Sequence, residues 1–238
     1  VSFIPASPIV EELRGKKDEF EIEILSEAVR IADLAMAEAT SCLEDGVREY
    51  EVADVIERAL KDAGASGTAF DTIVASGPNS ALPHHKAGAR VISEGDSVVI
   101  DMGALYQGYR SDLTRTYSVG DFDRSKYDEI YGIVLEAQMA AEAAASPGML
   151  AMELDSVARD IIGGYGYGSF FGHGLGHGVG IDVHESPMVV PSSGDRIFPG
   201  SVFTIEPGIY IPGWGGVRIE DVLVMGDLSA QVLTLSPK

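Results

Sequence analysis

The sequence predicts an α+β domain made of two related halves, each with a long helix, a short helix and a β-hairpin. Two observations predict it. Amphipathic helical periodicity is followed by short apolar runs rich in β-formers, and this order occurs twice along the 238 residues. Two of the apolar runs also end in a carboxylate that precedes one residue and a glycine, at Asp101 and Glu206. Such repetition is typical of an internal duplication.

The alignment of the two halves extends beyond these carboxylates. Placing Asp101 on Glu206 brings further residue types into register, with a short insertion before the last two pairs. The aligned pairs are Gly46 with Gly148, Gly95 with Gly200, Ile100 with Ile205, Gly103 with Gly208, Arg110 with Arg218 and Asp112 with Glu220. We therefore expect two related hairpins, each of which supplies two carboxylates to one shared centre.

In the first half, apolar residues at helical spacing predict an amphipathic helix over 18–45 and a second helix over 50–63. Residues 70–75 predict a short strand. Residues 97–101 and 108–119 predict the two strands of the hairpin, because both are rich in β-branched and apolar residues.

The second half repeats this order. Residues 124–145 are rich in alanine and predict a long helix that Pro147 ends, and residues 151–162 predict a shorter one. The glycine-rich stretch 163–180 predicts irregular backbone. The remaining predicted strands lie near 188–190, 201–206 and 217–225.

Composition excludes several classes of protein. The formal charge of −20 argues against binding to a nucleic-acid backbone. No apolar run approaches the roughly 18 residues of a membrane-spanning helix, so no membrane partner is expected. The N-terminus lacks the pattern of a signal peptide. Cys42 is the only cysteine, so an intrachain disulfide is excluded, and these features together predict a cytoplasmic protein.

The first residues differ from the rest of the chain. Residues 1–17 contain proline and lack helical periodicity, which predicts an extended lead-in. Because the chain begins with Val1 instead of methionine, we interpret this segment as the remnant left after a missing upstream domain. No linker rich in glycine, serine or proline follows, so residues 18–238 are predicted to form one domain.

Five residues between positions 101 and 220 form a candidate metal site. They are Asp101, Asp112, His177, Glu206 and Glu220. A single aspartate at a strand end is usually a turn or cap residue, but the repeated pattern argues against that explanation for the set. Four carboxylates and one neutral imidazole carry a formal charge of −4, which two divalent cations would neutralise. Such ligands suit Mn²⁺, Co²⁺, Fe²⁺ or Zn²⁺, and two metals about 3.5 Å apart could activate a water for hydrolysis.

The five histidines cluster in two glycine- or proline-rich segments and none lies in a predicted helix. They are His84, His85, His173, His177 and His184. The glycine-rich run around His177 is not a phosphate-binding loop, because no Lys followed by Ser or Thr closes it. We expect one histidine to bind metal and others to donate hydrogen bonds to a substrate carbonyl.

With these residues assembled, the chain resembles the pita-bread metallopeptidases, the family of methionine aminopeptidase, proline dipeptidase, aminopeptidase P and creatinase. The resemblance covers about residues 18–228 and is strongest to the proline-specific branch. The motifs that carry it are Ser76-Gly-Pro-Asn-Ser-Ala-Leu-Pro-His-His, Val99-Ile-Asp-Met-Gly, Ser111-Asp-Leu-Thr-Arg-Thr, Gly176-His-Gly-Val-Gly-Ile-Asp-Val-His-Glu, Thr204-Ile-Glu-Pro-Gly-Ile-Tyr and Val217-Arg-Ile-Glu-Asp. The resemblance implies a pita-bread fold, with the two halves around a curved antiparallel sheet.

The resemblance also implies a role for each metal ligand. Asp112 would chelate one metal together with Asp101, while Asp101 and Glu220 would contact both metals. His177 and Glu206 would complete the shell of the second metal. Glu206 would also accept a proton from the bridging hydroxide.

Five further positions match residues that contact substrate or ligands in the family. His84 and His184 match two substrate-contacting histidines, of which His184 would steady the carbonyl or tetrahedral oxygen. His173 would lie near the proline end of the substrate. Arg218 would hold a carboxylate ligand in place, and Tyr210 would line the pocket.

The function implied by the resemblance is hydrolysis of Xaa-Pro bonds in dipeptides by two divalent ions, with Mn²⁺ favoured over Co²⁺ or Zn²⁺. Its substrate would be a short peptide with proline in second position. The alternatives are an aminopeptidase P for longer peptides, a methionine aminopeptidase, a creatinase-like hydrolase and a non-catalytic module of the same fold. The proline-specific branch usually carries an N-terminal domain that aids dimerisation, so we expect a homodimer only where that domain is present.

Overall fold

The computed structural model of the chain describes residues 9–238 and confirms the α+β class, with five helices and antiparallel strands. Two short 3-10 helices occur at Gly77–Ala81 and Gly168–Phe170. The helices of the described residues are α1 (Ile9–Arg14), α2 (Glu19–Ser41), α3 (Glu49–Asp62), α4 (Ser125–Ala144) and α5 (Ala151–Gly164). In these residues, no helix combines the length and apolar character needed to cross a membrane.

The strands pair antiparallel throughout. They form a five-stranded sheet in the order β13-β12-β9-β7-β8, two three-stranded sheets, β2-β3-β6 and β1-β4-β5, and the pair β10-β11. Their bounds are β1 (Gly67–Thr68), β2 (Ile73–Ser76), β3 (Ser97–Met102), β4 (Ala104–Tyr106), β5 (Tyr109–Arg110), β6 (Leu113–Ser118), β7 (Gly176–Gly178), β8 (Glu185–Val189), β9 (Val202–Ile205), β10 (Gly208–Ile211), β11 (Gly215–Arg218), β12 (Asp221–Met225) and β13 (Ala230–Val232).

The helices form where the sequence offers both an apolar face and a start signal. Asp18 caps α2, because its carboxylate accepts a hydrogen bond from the Glu21 amide at 2.9 Å while the Glu21 side chain accepts from the Asp18 amide. The buried face of α2 includes Ile31 and Met36, which pack with α3 and with strands β2, β3 and β6 in one hydrophobic core. A second core joins α4 and α5 to β9, β10 and β11. Each half therefore has its own core, and each fully buried aliphatic side chain contributes about 1.5–3 kcal/mol.

Backbone contacts repeat between the halves, as the duplication predicts. Gly46 and Gly148 both adopt positive φ, 96° and 84°, before the shorter helix of each half. Their amides donate to the carbonyls of Ile92 and Ile197, at 3.0 and 2.7 Å. The same part of each half forms an isolated antiparallel bridge, between Arg48 and Val91 and between Leu150 and Arg196. In both halves, the same backbone hydrogen bonds and bridge therefore join the start of the short helix to the segment that leads into the hairpin.

Residues 9–14 of the predicted extended lead-in form helix α1 instead. Acidic residues in its first turn and Arg14 in its last complement the helix dipole, and α1 packs against β8. The extended prediction was wrong for 9–14 because one short turn shows too little periodicity in sequence. Residues 1–8 of the lead-in lie outside the described part of the chain.

One predicted strand and one stretch predicted as irregular also differ from the structure. The strand predicted over 108–119 is interrupted between β5 and β6, where the Ser111 hydroxyl donates to the Ala28 carbonyl and accepts from the Ala104 amide. The stretch 163–180, predicted as irregular, contains β7 in the interior of the five-stranded sheet. The glycines of β7 obscured this strand in sequence, and their structural role appears at the site itself.

Candidate metal centre and substrate pocket

The five predicted metal ligands converge from both halves. Asp101 lies in β3 and Asp112 just before β6, while His177 lies in β7, Glu206 follows β9 and Glu220 lies between β11 and β12. The halves meet here through the backbone, because the Glu220 amide donates to the Thr114 carbonyl at 3.1 Å. The duplicated hairpins therefore bring their carboxylates to one centre.

His177 reaches this centre because glycines flank it on β7. A Cβ at Gly176 would lie 2.1 Å from the Thr204 carbonyl oxygen, and one at Gly178 would lie 2.2 Å from that of Ser186. Only glycine allows the neighbouring strands to approach β7 so closely. The glycines thus place the imidazole in the sheet and aim it at the carboxylates.

The hydrogen bonds of His177 define its tautomer. Its Nδ1 lies 3.1 Å from the Gly178 carbonyl oxygen, which can only accept, so Nδ1 carries the proton. In the metal-free chain Nε2 pairs with Glu206 Oε1 at 3.1 Å and lies 3.7 Å from Asp112 Oδ2, and it becomes available as a ligand when the ring is neutral. This is the arrangement of a metal-binding histidine whose second nitrogen is held by the backbone.

Two carboxylates of the centre each keep one buried oxygen without a partner. Asp101 Oδ2 accepts from Arg218 at 2.5 Å and Glu220 Oε2 accepts from the Thr114 hydroxyl at 2.6 Å. Asp101 Oδ1 and Glu220 Oε1 are buried and bond to no described residue. Ligand atoms of Asp112, His177 and Glu220 all lie within 4.8 Å of one another. Because a buried unpaired carboxylate oxygen is costly, these atoms fit the coordination of divalent cations.

The shifted pKa values of the four clustered carboxyl groups also indicate a site for cations. Burial, followed by repulsion from neighbouring carboxylates, raises the pKa of Asp112 and of Glu220 well above their usual values. Burial also raises the pKa of Asp101, although Arg218 opposes the shift. Burial disfavours the charge on Glu206 too, but the hydrogen bond and charge of His177 outweigh it and lower its pKa to about 2. The protein alone leaves this cluster short of positive charge, which bound cations would supply.

A chain of hydrogen bonds runs from Asp101 away from the centre. Arg218, 3% exposed, donates to Asp101 and, at 2.9 Å, to the Tyr210 hydroxyl. The Tyr210 hydroxyl in turn lies 2.8 Å from His173 Nε2, and His173 Nδ1 lies 2.7 Å from the Gly174 carbonyl oxygen. Since the carbonyl can only accept, Nδ1 carries the proton and Nε2 accepts from Tyr210. Arg218 thus orients a carboxylate and, through Tyr210, a pocket histidine.

A pocket of about 540 Å³ opens onto the centre. Eight of the predicted site residues line it; they are His84, Asp101, Asp112, His173, His177, His184, Glu206 and Arg218. Glu220 is 1% exposed and lies beneath it. Tyr210, predicted to line the pocket, is not among the lining residues; its ring is buried and its hydroxyl bonds to His173 and Arg218. Tyr210 thus contacts the pocket through His173, and a direct contact with substrate stays a prediction.

The sequence analysis missed two threonines that hold ligands. The Thr114 hydroxyl donates to Glu220 and accepts from Arg218 Nε at 3.1 Å. The Thr204 hydroxyl lies 3.2 Å from Glu206 Oε1 and accepts from the His177 amide at 3.1 Å. Each threonine lies on a strand, two residues from a predicted ligand just beyond the strand's end, so extended backbone places the threonine and that ligand on the same side. That spacing was a signal in the sequence.

A buried carboxylate that the sequence analysis also missed supports the His84 segment. Glu49, fully buried at the start of α3, accepts from the Ser76 amide at 2.9 Å and lies 2.8 Å from His85 Nε2. Asn79 donates to the same carboxylate at 3.0 Å. The side chain of His85 is therefore used to anchor the segment, which leaves His84 exposed in the pocket.

Comparison with known proteins agrees with this geometry. Residues 23–227 match the model of metallopeptidase family M24. The chain is 52% identical to the Xaa-Pro dipeptidase of Pyrococcus furiosus over 226 residues, which are 95% of this chain and 65% of that protein. It is 50% identical to the Xaa-Pro dipeptidase of Pyrococcus horikoshii, with 98% of this chain and 66% of that protein covered. The chain thus spans slightly less than two thirds of the length of these relatives.

Solved structures show the same likeness. The prolidase from Pyrococcus furiosus superposes with a TM-score of 0.95 at 51% identity, over 97% of this chain and 68% of that one. The X-Pro aminopeptidase from Thermotoga maritima superposes with a TM-score of 0.94 at 44% identity, over 99% of this chain and 67% of that one. These comparisons confirm the pita-bread fold. The chain belongs to metallopeptidase family M24, in the proline-specific branch that its motifs resemble.

Proposed function

We propose that this chain is the catalytic unit of a metal-dependent Xaa-Pro dipeptidase. The observation that carries the proposal is the pair of buried carboxylate oxygens on Asp101 and Glu220 that have no partner within residues 9–238, in a cluster where ligand atoms of Glu220, Asp112 and His177 lie within 4.8 Å of one another. The pocket above that centre is lined by four further histidines, and the relatives named Xaa-Pro dipeptidase suggest the substrate class.

Two divalent ions are proposed at this centre, with Mn²⁺ favoured and Co²⁺ or Zn²⁺ as alternatives. Their ligands are Asp101, Asp112, His177, Glu206 and Glu220. When bound, the ions would act as Lewis acids and lower the pKa of a bound water. Arg218 and Thr114 keep Asp101 and Glu220 oriented, because each donates to one carboxylate oxygen and leaves the other for metal.

The chain's own groups handle protons around this centre. Glu206 lines the pocket beside His177 and is proposed to accept a proton from the attacking water through one of its oxygens. Burial and the nearby His177 lower the pKa of His184, so its neutral ring presents one N–H that can donate to the developing oxyanion. His84, exposed in the pocket, is proposed to pass a proton to the nitrogen of the leaving proline.

The walls of the pocket suit a proline ring. Its apolar lining residues are Phe70, Ile73, Pro83, Val183, Met188 and Val190. An Xaa-Pro bond has no N–H, so an apolar wall leaves no donor unsatisfied. The rim also carries Lys86, whose side chain is 84% exposed and whose single ion-pair partner within residues 9–238 is the equally exposed Asp71, at 3.1 Å. Two cationic side chains line the pocket, Lys86 and Arg218, and Arg218 is buried and already bonded to Tyr210 and Asp101. We therefore propose that Lys86 attracts the free carboxylate of a dipeptide.

The proposal is tested with the Mn²⁺-loaded chain and a mixture of Ala-Pro, Ala-Pro-Ala and Met-Ala-Ala, with products identified by mass spectrometry. Release of proline from Ala-Pro with little attack on Ala-Pro-Ala supports a dipeptidase. Efficient cleavage of Ala-Pro-Ala supports an aminopeptidase P, the second candidate, which the likeness to the Thermotoga maritima X-Pro aminopeptidase favours. Release of methionine contradicts the proline specificity.

The extent of the catalytic unit is part of the same proposal. We propose that residues 18–238 form one catalytic metallopeptidase domain that contains all five proposed metal ligands. Because the relatives are longer than this chain, dimerisation and the activity of a whole protein are proposals as well. Size-exclusion chromatography with light scattering on this chain, together with the peptide assay, measures both properties directly.

A further inference from the structure

His184 is the pocket histidine whose placement most needs an explanation. Its side chain is exposed in the pocket, and its ring centroid lies 4.1 Å from that of His177. Within residues 9–238, its ring takes part in no hydrogen bond, unlike the rings of His85, His173 and His177. The position of His184 therefore depends on the backbone that carries it.

That backbone is held by the next residue, Glu185. The Glu185 side chain is 5% exposed, and its Oε1 accepts from the Asp182 amide at 2.8 Å, which closes the turn that carries His184. The Gly180 amide donates to the Asp182 carbonyl at 3.1 Å within the same turn. A Cβ at Gly180 would lie 2.8 Å from Glu185 Oε2, so the turn wraps closely around this carboxylate.

Two cations of the N-terminal segment, residues 9–17, balance the negative charge of Glu185. Arg14 donates to Glu185 Oε1 at 2.5 Å and to Asp182 Oδ2 at 2.7 Å, so it grips the turn at two points. Lys17 Nζ donates to Glu185 Oε2 at 3.2 Å, and the Lys17 side chain is only 2% exposed. The Lys17 amide donates to the Gly200 carbonyl at 2.8 Å, which fixes this part of the segment against the second half of the molecule.

We propose that Glu185 is a positioning residue for His184 and that Arg14 and Lys17 complete its setting. The segment before α2 is then a working part of the active site, and it acts through the turn that carries His184. A buried carboxylate that bonds to two cations and a backbone amide can hold this turn more rigidly than exposed contacts would. The inference rests on the proposed function only where it concerns hydrolysis.

The kinetic test is a double-mutant cycle between Glu185→Gln and His184→Ala. Glu185→Gln keeps the size of the side chain but removes its charge, and we expect kcat on Ala-Pro to fall about 10- to 100-fold with KM little changed, because a displaced catalytic group mainly costs transition-state stabilisation. In the His184→Ala background, Glu185→Gln should cause no further loss. If the two losses multiply, Glu185 does not act through His184 and the proposal is overturned.

A second measurement does not depend on hydrolysis. In metal-free protein labelled with ¹⁵N-histidine, Glu185→Gln should shift or broaden the imidazole signal of His184 and leave that of His85 unchanged, since His85 is anchored separately by Glu49. An unchanged His184 signal contradicts the proposal. If the native chain hydrolyses no peptide but this shift is seen, the proposed function fails while the positioning role stands.

The role of the N-terminal segment is tested by Arg14→Met, with Arg30→Met as the matched control. Arg30 also pairs with a carboxylate, Glu27, but both side chains are exposed on α2, far from His184 in sequence. We expect Arg14→Met to reproduce the His184 signal change and part of the kcat loss, and Arg30→Met to do neither. Equal behaviour of the two variants would overturn the role of the segment.

Discussion

The two halves of the molecule share a hairpin motif but use its arginine differently. Arg110 and Arg218 occupy aligned positions, each two residues before a proposed metal ligand. Arg218 is 3% exposed and donates to Asp101 across the boundary between the halves. Arg110 instead donates to the backbone carbonyls of Ala69 and Ile181 and contacts no carboxylate of the centre within the described residues. Duplication thus accounts for the carboxylates, whereas the charges that orient them have diverged.

The histidines show the same divergence. His173, His177 and His184 all belong to the second half, while His84 alone enters the pocket as a free side chain from the first. The first half therefore contributes two of the proposed acidic ligands and, beside the anchored His85, the pocket histidine His84, whereas the second half contributes most of the groups proposed to contact the reacting bond. A repeated framework carries the proposed metal ligands, and the second half carries most of the groups proposed for the chemistry.

The largest expected effect follows from the shared part of the halves. Asp112→Asn in the first half and Glu220→Gln in the second should each lower Ala-Pro hydrolysis on the order of 100-fold or more, because each removes a charged ligand from the same centre. Bound metal, measured by inductively coupled plasma mass spectrometry after dialysis, should fall in both variants. Glu27→Gln on the exposed face of α2 serves as the control.

Equal losses would support equal contributions from the aligned carboxylates. If either variant keeps full metal content and near-native turnover, the substituted carboxylate is not a metal ligand. The two halves would then not contribute equivalent ligands to the centre.

The next effect tests the divergent arginines. Arg218→Met should lower kcat/KM about 10- to 100-fold and weaken metal binding, because Asp101 loses the group that orients it. Arg110→Met should leave metal affinity unchanged, since its contacts are backbone carbonyls. Metal titrations of both variants decide the matter; equal loss of affinity would mean that the aligned arginines still share one role.

Removing the metals should make stability depend on pH in a defined direction. The pKa values of Asp112 and Glu220 are raised by burial and mutual repulsion, so the metal-free native state holds more protons than the unfolded chain. The contribution of these two groups to the stability of the metal-free chain is therefore fully present below the ordinary carboxyl pKa values of 3.8 and 4.5 and is lost as pH rises through the raised native values. The increase in melting temperature on adding Mn²⁺ should grow as pH rises from 5 to about 8. A constant increase over that range would contradict the crowding of unneutralised carboxylates.

Much of this arrangement could be predicted from the sequence, for identifiable reasons. Glycine and a repeated carboxylate pattern marked the hairpins, and helical periodicity marked α2 to α5. Strand β7 was not predicted, because its glycines are typical of a loop in sequence. In the structure they allow the close approach of Thr204 and Ser186. Glu49 and Glu185 escaped because nothing local distinguishes a buried carboxylate from an exposed one; their donors lie far along the chain.

The smallest expected effect concerns Lys86 in the first half. Lys86→Met should lower kcat/KM for Ala-Pro about two- to fivefold and leave that for Ala-Pro amide unchanged, because an exposed ion pair contributes little and the amide lacks the carboxylate. Asp71→Asn should not lower either value, since it removes only the competing partner. Equal losses on both substrates would assign Lys86 no role in recognising the carboxylate.

The most direct test of the central claim counts metals and products in the same sample. The chain is stripped with chelator, titrated with Mn²⁺, and assayed on Ala-Pro at each step, with bound metal measured by native mass spectrometry. We predict that proline release follows the binding of the ions and reaches its plateau when two are bound per chain. Full hydrolysis by the stripped chain, or binding that saturates without proline release or with no more than one ion, would contradict the account of a two-metal centre built from duplicated hairpins.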